Sequence, residues 1–403
     1  MDNVQWKKMR FDEFFSMLPT NTLSRDKLNS QRGTYQNIHY GDVLIKYPFC
    51  LDCDKNDIPY INDDVKFNAT EVKDGDVIFA DTAEDDTVGK CVEVLNVGDR
   101  KIVSGLHTYF CRPNYKMASG YLGYFLNSNH FHNQLLPYIA GSKVSSVNRA
   151  SIYRTYISYP DSLPAQRRIA AILSSADKVI EQTRQLISKY KSIKQGMMED
   201  LLKPKEGWKK VKLGEVVDVY DGTHQTPNYV DNGIPFYSVE NVTANEFEHT
   251  KYITEEEHQL LTSKHRIEKG DVLMTRIGSI GVCKLVNWEV NASFYVSLAL
   301  LKIKEGFDAD YLVQYSQIES FKKAILHESL TFAYPQKINL GDINKVEMYF
   351  PYKDNKPDLP EQRRIAKILS GIDRKIEAEE KVLEKYEKMK QGLMERLLGE
   401  KHK

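Results

Sequence analysis

Residues 163–202 of this chain return as residues 359–398 at a constant offset of 196. The first block reads LPAQRRIAAILSSADKVIEQTRQLISKYKSIKQGMMEDLL and the second LPEQRRIAKILSGIDRKIEAEEKVLEKYEKMKQGLMERLL, identical at a little over half their positions with no gap. A repeat of this length means two copies of one structural unit. Each copy follows a stretch of similar size. The order is therefore globule, helix, globule, helix, with boundaries at 1–162, 163–203, 204–358 and 359–403.

The repeated block predicts a long helix. Pro164 stands at its start, where a missing N–H costs nothing. Ile172, Ala176, Val179, Thr183, Leu186, Tyr190, Ile193 and Met197 then advance by alternating fours and threes, the spacing of a heptad seam. Ile368, Ile372, Val382, Tyr386, Met389 and Leu393 hold the matching positions of the second copy, where Lys375 and Glu379 interrupt the stripe. Either Ile376 and Leu383 widen the seam there or the helix locally faces solvent. A helix with one apolar stripe needs a partner. The nearest partner is the other copy, packed antiparallel about a pseudo-two-fold axis. A helix from Gln166 to Asp200 has a length of roughly 50 Å at about 1.5 Å per residue, on the order of fifteen base pairs of B-form duplex. The same pattern also fits a coiled coil that only joins two copies of the protein.

Composition sets limits on the class. At 403 residues and 41% hydrophobic content the chain suits two ordinary domains plus helices. No apolar run approaches the length of a membrane span, and the opening MDNVQWKKMRFDEFF has no signal-peptide hydrophobic region, so a cytoplasmic protein is expected. Five cysteines, an odd number, fit a reducing compartment. Cys50 and Cys53 form one CxxC, but Cys91, Cys111 and Cys283 give no second pair at zinc-ligand spacing, so no metal site is expected. Lys plus Arg number 18 against 20 acidic residues in 1–162 and 18 against 23 in 204–358. The helical blocks carry the opposite excess, 8 against 4 and 12 against 9. Slightly acidic globules do not make a simple electrostatic DNA clamp. Any DNA-binding surface must be local, or a partner must supply much of it.

The two globules share a plan. WKKMRFDEFF at Trp6 matches WKKVKLGEVV at Trp208, and GDVIFA at Gly75 matches GDVLMT at Gly270, a turn feeding a strand. IVSGLHTYF at Ile102 matches YVSLALLKI at Tyr295. Amphipathic helices follow near Tyr121 to Leu136 and near Tyr311 to Leu326, and then polar segments lead to final strands TYISYP and VEMYFP. The fold class is α+β: two tandem mixed α/β domains separated by two long antiparallel helices.

These residues resemble the specificity subunit of type I restriction-modification enzymes. The LPxQRRIAxIL opening, the KQGxME ending, the duplication and the WKKVKLGEV entry carry the resemblance, in order and twice, over essentially the whole chain. It implies that each globule is a target recognition domain reading one half of a split double-stranded DNA sequence. It also implies that the helix pair sets the separation and docks two modification subunits, with restriction subunits joining through them. The partners would perform adenine methylation with S-adenosylmethionine, and cleavage with ATP and Mg, while this chain holds no cofactor. The sequence itself contains no GxxxxGK[ST] loop and no adjacent prolines, and its histidines His107, His130, His132, His224 and His265 lie scattered without a paired nucleophile. A chain that is not an enzyme alone is expected. The competing expectations are a coiled-coil scaffold with two protein-binding domains and a stand-alone enzyme.

Base edges are read by polar side chains on loops held by a rigid scaffold. In the second globule the candidates are Thr275, Arg276 and Ser279 of TRIGSIG, then Thr331, Tyr334, Gln336 and Lys337, and Thr223, His224 and Gln225 of DGTHQ. The first globule offers Ser142, Lys143, Ser145, Asn148 and Arg149. Its TAEDDTVGK segment, aligned with TRIGSIGVCK, carries Glu84, Asp85 and Asp86, which phosphates would repel, so that loop either serves differently, the favoured expectation, or accepts from cytosine amino groups. Candidate docking residues are Arg167, Arg168, Gly196, Arg363, Arg364 and Gly392. A glycine inside a helix costs about 1 kcal/mol relative to alanine, so Gly196 and Gly392 suggest close approach of another backbone, a bend, or the start of the helix end.

Overall fold

The computed structural model describes residues 5–85, 87–141, 144–330 and 333–399. It divides into two compact units, Met1–Gln185 with Lys381–Lys403, and Leu186–Glu380. Each unit thus takes one globule and part of each long helix. Among the described residues no helix is long and apolar enough to cross a membrane.

In the first unit the main sheet contains β1 (Phe15–Leu18), β2 (Cys50–Asp52), β3 (Val77–Ala80), β4 (Cys91–Leu95) and β5 (Thr108–Pro113). Its spatial order is β1-β5-β3-β4-β2, antiparallel except for the parallel pair of β2 with β4. The first long helix, α1, is Leu163–Leu201. The second unit repeats the sheet with β6 (Val217–Asp221), β7 (Val272–Thr275), β8 (Cys283–Leu285) and β9 (Leu298–Ile303), in the order β6-β9-β7-β8. It is followed by α2, Leu359–Leu398. In each unit the Trp-Lys-Lys segment pairs antiparallel with the last strand, Trp6–Arg10 with Tyr156–Pro160 and Trp208–Lys212 with Glu347–Lys353.

Alternation along the strands feeds two cores per unit. Val77 and Phe79 point into a cluster with Phe11, Phe131 and Tyr121, which Ile169 and Leu173 of α1 and Leu397 and Leu398 of α2 complete. Ile78 and Ala80 face the opposite cluster with Ile38 and Phe110. In the second unit Val272 and Met274 join Met198, Ile365 and Leu369 from the helices and Leu202 just past the end of α1, while Leu273 faces Tyr237 and Leu300. The Gly-Asp openings do the same work in both units. Gly75 and Gly270 adopt positive φ, and the next aspartate closes the turn by accepting from a backbone N–H: Lys73 to Asp76 at 2.6 Å, Glu268 to Asp271 at 2.8 Å. Each aspartate also holds a cation from the neighbouring strand, Arg112 or Lys302.

Two expectations need correction. The continuous helices expected near Tyr121–Leu136 and Tyr311–Leu326 are each broken in two, as Tyr121–Leu126 with Asn129–Leu135, and Ala309–Tyr315 with Glu319–Glu328. In the first unit the Asn127 amide explains the break: it bonds the N–H and C=O of Cys91, drawing the backbone out of helical register. The helix seam is also shifted. Val179, Ile193, Val382 and Met389 are exposed and Ile172, Ala176, Leu186, Tyr190, Met197, Ile368, Ile372, Tyr386 and Leu393 only partly buried. The deep stripe lies one position on, through Gln166, Ile169, Leu173 and Ile180 in the first unit and Ile187, Lys194 and Met198 in the second, opposed by Ile365, Leu369 and Ile376. Leu383 is partly buried, and Lys375 sits over the Tyr190 ring.

The phase is fixed by polar anchors. The buried Gln166 accepts from Ala118 N at 2.9 Å and donates to Pro160 O at 2.7 Å. The buried Gln362, one repeat later, accepts from Asp308 N at 3.0 Å and donates to Gly306 O at 3.3 Å. Within the first unit Asp177 pairs with Lys390 and Arg184 with Glu387. Within the second, Lys194 pairs with Asp373 and Lys191 with Glu380. Rising numbers on one helix meet falling numbers on the other, so the helices run antiparallel in each unit. Asp177 with Lys390 and Asp373 with Lys194 are the same contact with the helices exchanged.

Gln362→Leu should therefore strip partners from two half-buried backbone groups, at about 1–2.5 kcal/mol each. We expect a total loss of about 2–5 kcal/mol in urea unfolding. A loss well below about 1 kcal/mol would show that this glutamine does not anchor the helix.

A second prediction concerns pH. Glu93 on β4 is buried and accepts from Gly120 N at 2.7 Å and Gly123 N at 2.8 Å. Burial outweighs these donors and raises its pKa from 4.5 to about 7. The folded state holds a proton that the unfolded chain releases, so this contribution is fully present below about pH 4.5 and is lost as pH rises through 7. We expect the first unit to lose on the order of 3 kcal/mol between pH 5 and 8, and Glu93→Gln to flatten that slope. Identical pH dependence in the two proteins would contradict this assignment.

Candidate nucleic-acid interface

In the second unit the three candidate loops meet. Asp221, at the end of β6, accepts from Arg276 on one carboxylate oxygen and pairs with the His224 Nε2 on the other at 2.7 Å. Gly278 N donates to Gln336 O at 2.8 Å and Ile338 N to Arg276 O at 3.0 Å, which ties the 276–281 loop to the 333–339 segment. Thr223 is held by Val296 N and Phe294 O. The carboxylate thus joins DGTHQ to TRIGSIG, and backbone bonds join TRIGSIG to YPQK.

The side chains divide into supports and an exposed rim. Arg276 is buried, with Asp221 and the Ile338 carbonyl as acceptors, so its guanidinium holds the loops together and does not project from them. Thr275 is fully buried, its hydroxyl accepting from Val282 N at 3.0 Å. Thr223 and Gln336 are half-buried, whereas His224, Gln225, Ser279, Tyr334 and Lys337 are exposed. Thr331 lies outside the described residues. A recess of about 280 Å³ opens beside Asp221 and Thr223, bounded by Leu260–His265, where His265 stacks on Tyr220 at 3.7 Å. Sequence reading missed Asp221, Ser263 and Lys264. The acidic residue just before Gly-Thr-His and the Ser-Lys-His run after a helix were the available signals.

The first unit builds the corresponding place with different chemistry. Val147 N donates to Asp81 O at 3.0 Å, as Ile338 N does to Arg276 O, so Asp81 stands where Arg276 does. The expected alignment of the two loops is therefore displaced here: it set Ala83 against Arg276. Asp81 lies 3.3 Å from the His107 Nδ1, and burial raises its pKa against the opposing pull of that imidazole. Ser145 pairs with Ala83 across a short ladder, Asn148 caps the helix Arg149–Ile152 through Ser151 N, and Arg149 donates to the Tyr153 hydroxyl at 2.7 Å. Glu84 and Asp85 are exposed, and Asp85 accepts from Thr87 N. Ser142, Lys143 and Asp86 lie outside the described residues.

On the helices, Arg167 and Arg168 are exposed and make no ion pair among the described residues. Arg364 forms a two-pronged pair with Glu361 at 2.7 Å, and Arg363 lies 3.6 Å from Asp308. Nothing lies within 4 Å of a methyl placed on Gly196 or Gly392, so no backbone of this chain requires either glycine. No group of three or more metal-ligating side chains occurs among the described residues.

Two loop-bearing domains on long repeated helices make up the fold. The crystal structure of the type I restriction-modification S subunit from M. genitalium shares it over 100% of this chain and 98% of that one, with a TM-score of 0.64 at 14% identity. A type I R-M structure concerned with complex assembly and conformational transition matches 98% of both chains, with a TM-score of 0.52 at 19% identity. The type I restriction modification DNA specificity domain matches residues 3–191 and again 205–388, and the chain belongs to that family. It is 25% identical over 329 residues to the type I restriction enzyme MjaVIII specificity subunit of Methanocaldococcus jannaschii, covering 75% of this chain and 74% of that protein. It is 21% identical over 292 residues to the EcoKI specificity subunit of Escherichia coli K12, covering 66% and 62%. The chain is a specificity subunit, of a family that is generally non-catalytic and works with other restriction-modification subunits and DNA.

Proposed function

We propose that each globule reads one half of a bipartite DNA target, that the helix pair sets the gap between the halves, and that this chain docks two adenine-methylating subunits. The domains for this division of labour are 1–162 and 204–358, on helices 163–203 and 359–403. The observation that carries the reading of DNA is the loop cluster around Asp221, which presents His224, Gln225, Ser279, Tyr334 and Lys337 on a braced scaffold. Ser145, Asn148 and Arg149 are the counterparts in the first domain. Methylation belongs to the partners with S-adenosylmethionine, and cleavage to restriction subunits with ATP and Mg. Mapping methylated sites with and without this chain tests the reading, and a target unchanged by its removal would overturn it.

Docking is supported by a matched surface on the two helices. Ile193 and Gly196 are exposed one turn apart, and Met389 and Gly392 repeat them at the same offset. Two like patches fit two copies of one partner, flanked by Arg167, Arg168, Arg363 and Arg364. The double replacement Gly196→Ala with Gly392→Ala should stabilise the free chain by up to about 2 kcal/mol while weakening capture of the modification subunit about tenfold. Unchanged affinity would remove both glycines from the docking face.

A further inference from the structure

The two sheets differ at one edge. In the first unit β4 is covered: β2 runs parallel to it, Glu93 N donates to Phe49 O at 2.9 Å, and the Asn127 amide takes both backbone groups of Cys91. Phe49 also lies against Lys390, 4.6 Å from ring to ammonium. In the second unit β8 is the corresponding strand, since Leu285 opposes Val272 as Glu93 opposes Val77, and Cys283 opposes Met274 as Cys91 opposes Phe79. Among the described residues β8 has only β7 as a neighbour in its sheet.

Thr275 N bonds Val282 O and Val286 N bonds Asp271 O, so by strand alternation the backbone groups of Cys283 and Leu285 point away from β7. Those of Cys283 border a cleft of about 710 Å³ along Gly281–Lys284, bounded by the helices of the same unit. Its charged walls are Lys191, Lys194, Lys284 and Lys322 against Asp373 and Glu380. The two carboxylates are already engaged by Lys191 and Lys194, Lys322 pairs with Glu319 at 2.9 Å on the exposed surface, and Lys284 makes no ion pair among the described residues. An uncovered strand edge is a template for an added strand.

We propose that this edge is the docking site of an extended, acidic segment of a protein partner, which adds to the sheet beside β8. The first unit shows the chain's own version, in which the occupying strand carries Asp52 and is followed by Asp54. The guest sits differently at one end. A methyl on Gly123 would lie 2.4 Å from Phe49 O, and the second unit has Val313 there, so a guest carbonyl cannot repeat the Phe49–Glu93 bond at Leu285 and the guest pairs instead at Cys283, beside the cleft along Gly281–Lys284. The inference is independent of DNA reading.

The probe is a fluorescent peptide of residues 49–57 with serine for both cysteines, FSLDSDKND, titrated into the full chain. We expect saturable binding, slowed amide exchange at Cys283, and about tenfold weaker binding to Lys284→Glu. Lys322→Glu, at an exposed position, serves as the second variant should the first disturb folding, and circular dichroism checks both. No saturable binding, binding insensitive to the charge reversals, or unchanged exchange at Cys283 would each overturn the proposal.

Discussion

Arg276→Ala is expected to destabilise the second unit by about 3 kcal/mol, because it leaves the Asp221 carboxylate beside the core without its guanidinium partner. Asp221 retains some solvent contact, with its side chain 24% exposed, which holds the cost to the lower end of what breaking a buried pair brings. The loops on either side of that carboxylate should lose their common support, so target recognition fails with stability. His224→Ala removes only the exposed arm of the same network and should weaken recognition at nearly full stability. Urea unfolding and target methylation of both variants separate the two roles. An Arg276→Ala loss below about 1 kcal/mol, the range of a surface pair, would return that arginine to the reading surface.

The second large effect concerns spacing. Inserting one heptad at matching positions of both helices adds roughly 10 Å at about 1.5 Å per residue. That corresponds to about three base pairs of duplex. Because seven residues restore the facing of the stripe, the packing of each helix should survive. Sequencing of methylated sites should then show both half-sites unchanged and the unread gap wider by about three base pairs. A gap of the original length would show that the helices do not set it.

The repeat, the antiparallel helices and the Gly-Asp strand openings were legible because each rests on local chemistry: periodicity, caps and turns. The phase of the seam was not. Its deep stripe contains Gln166 and Lys194, which a hydrophobicity pattern counts as surface, while Val179, Ile193 and Met389 are apolar and exposed. The polar members are buried because they bond the domain or the other helix, and sequence does not show such partners. The same limit applies to Arg276. A guanidinium among glycines reads as a projecting reader until the fold brings Asp221, 55 positions away, against it. The exposure of His224, Gln225 and Lys337 was legible because polar residues on loops face solvent.

The most direct test of the central claim is single-molecule methylation sequencing of DNA from cells expressing this chain with its modification subunit, compared with cells lacking the chain. The account predicts a split motif that appears only with the chain, with methyladenine in each half and a fixed unread gap. Methylation at a single undivided motif, or no new methylation despite a demonstrated complex of the two proteins, would contradict it.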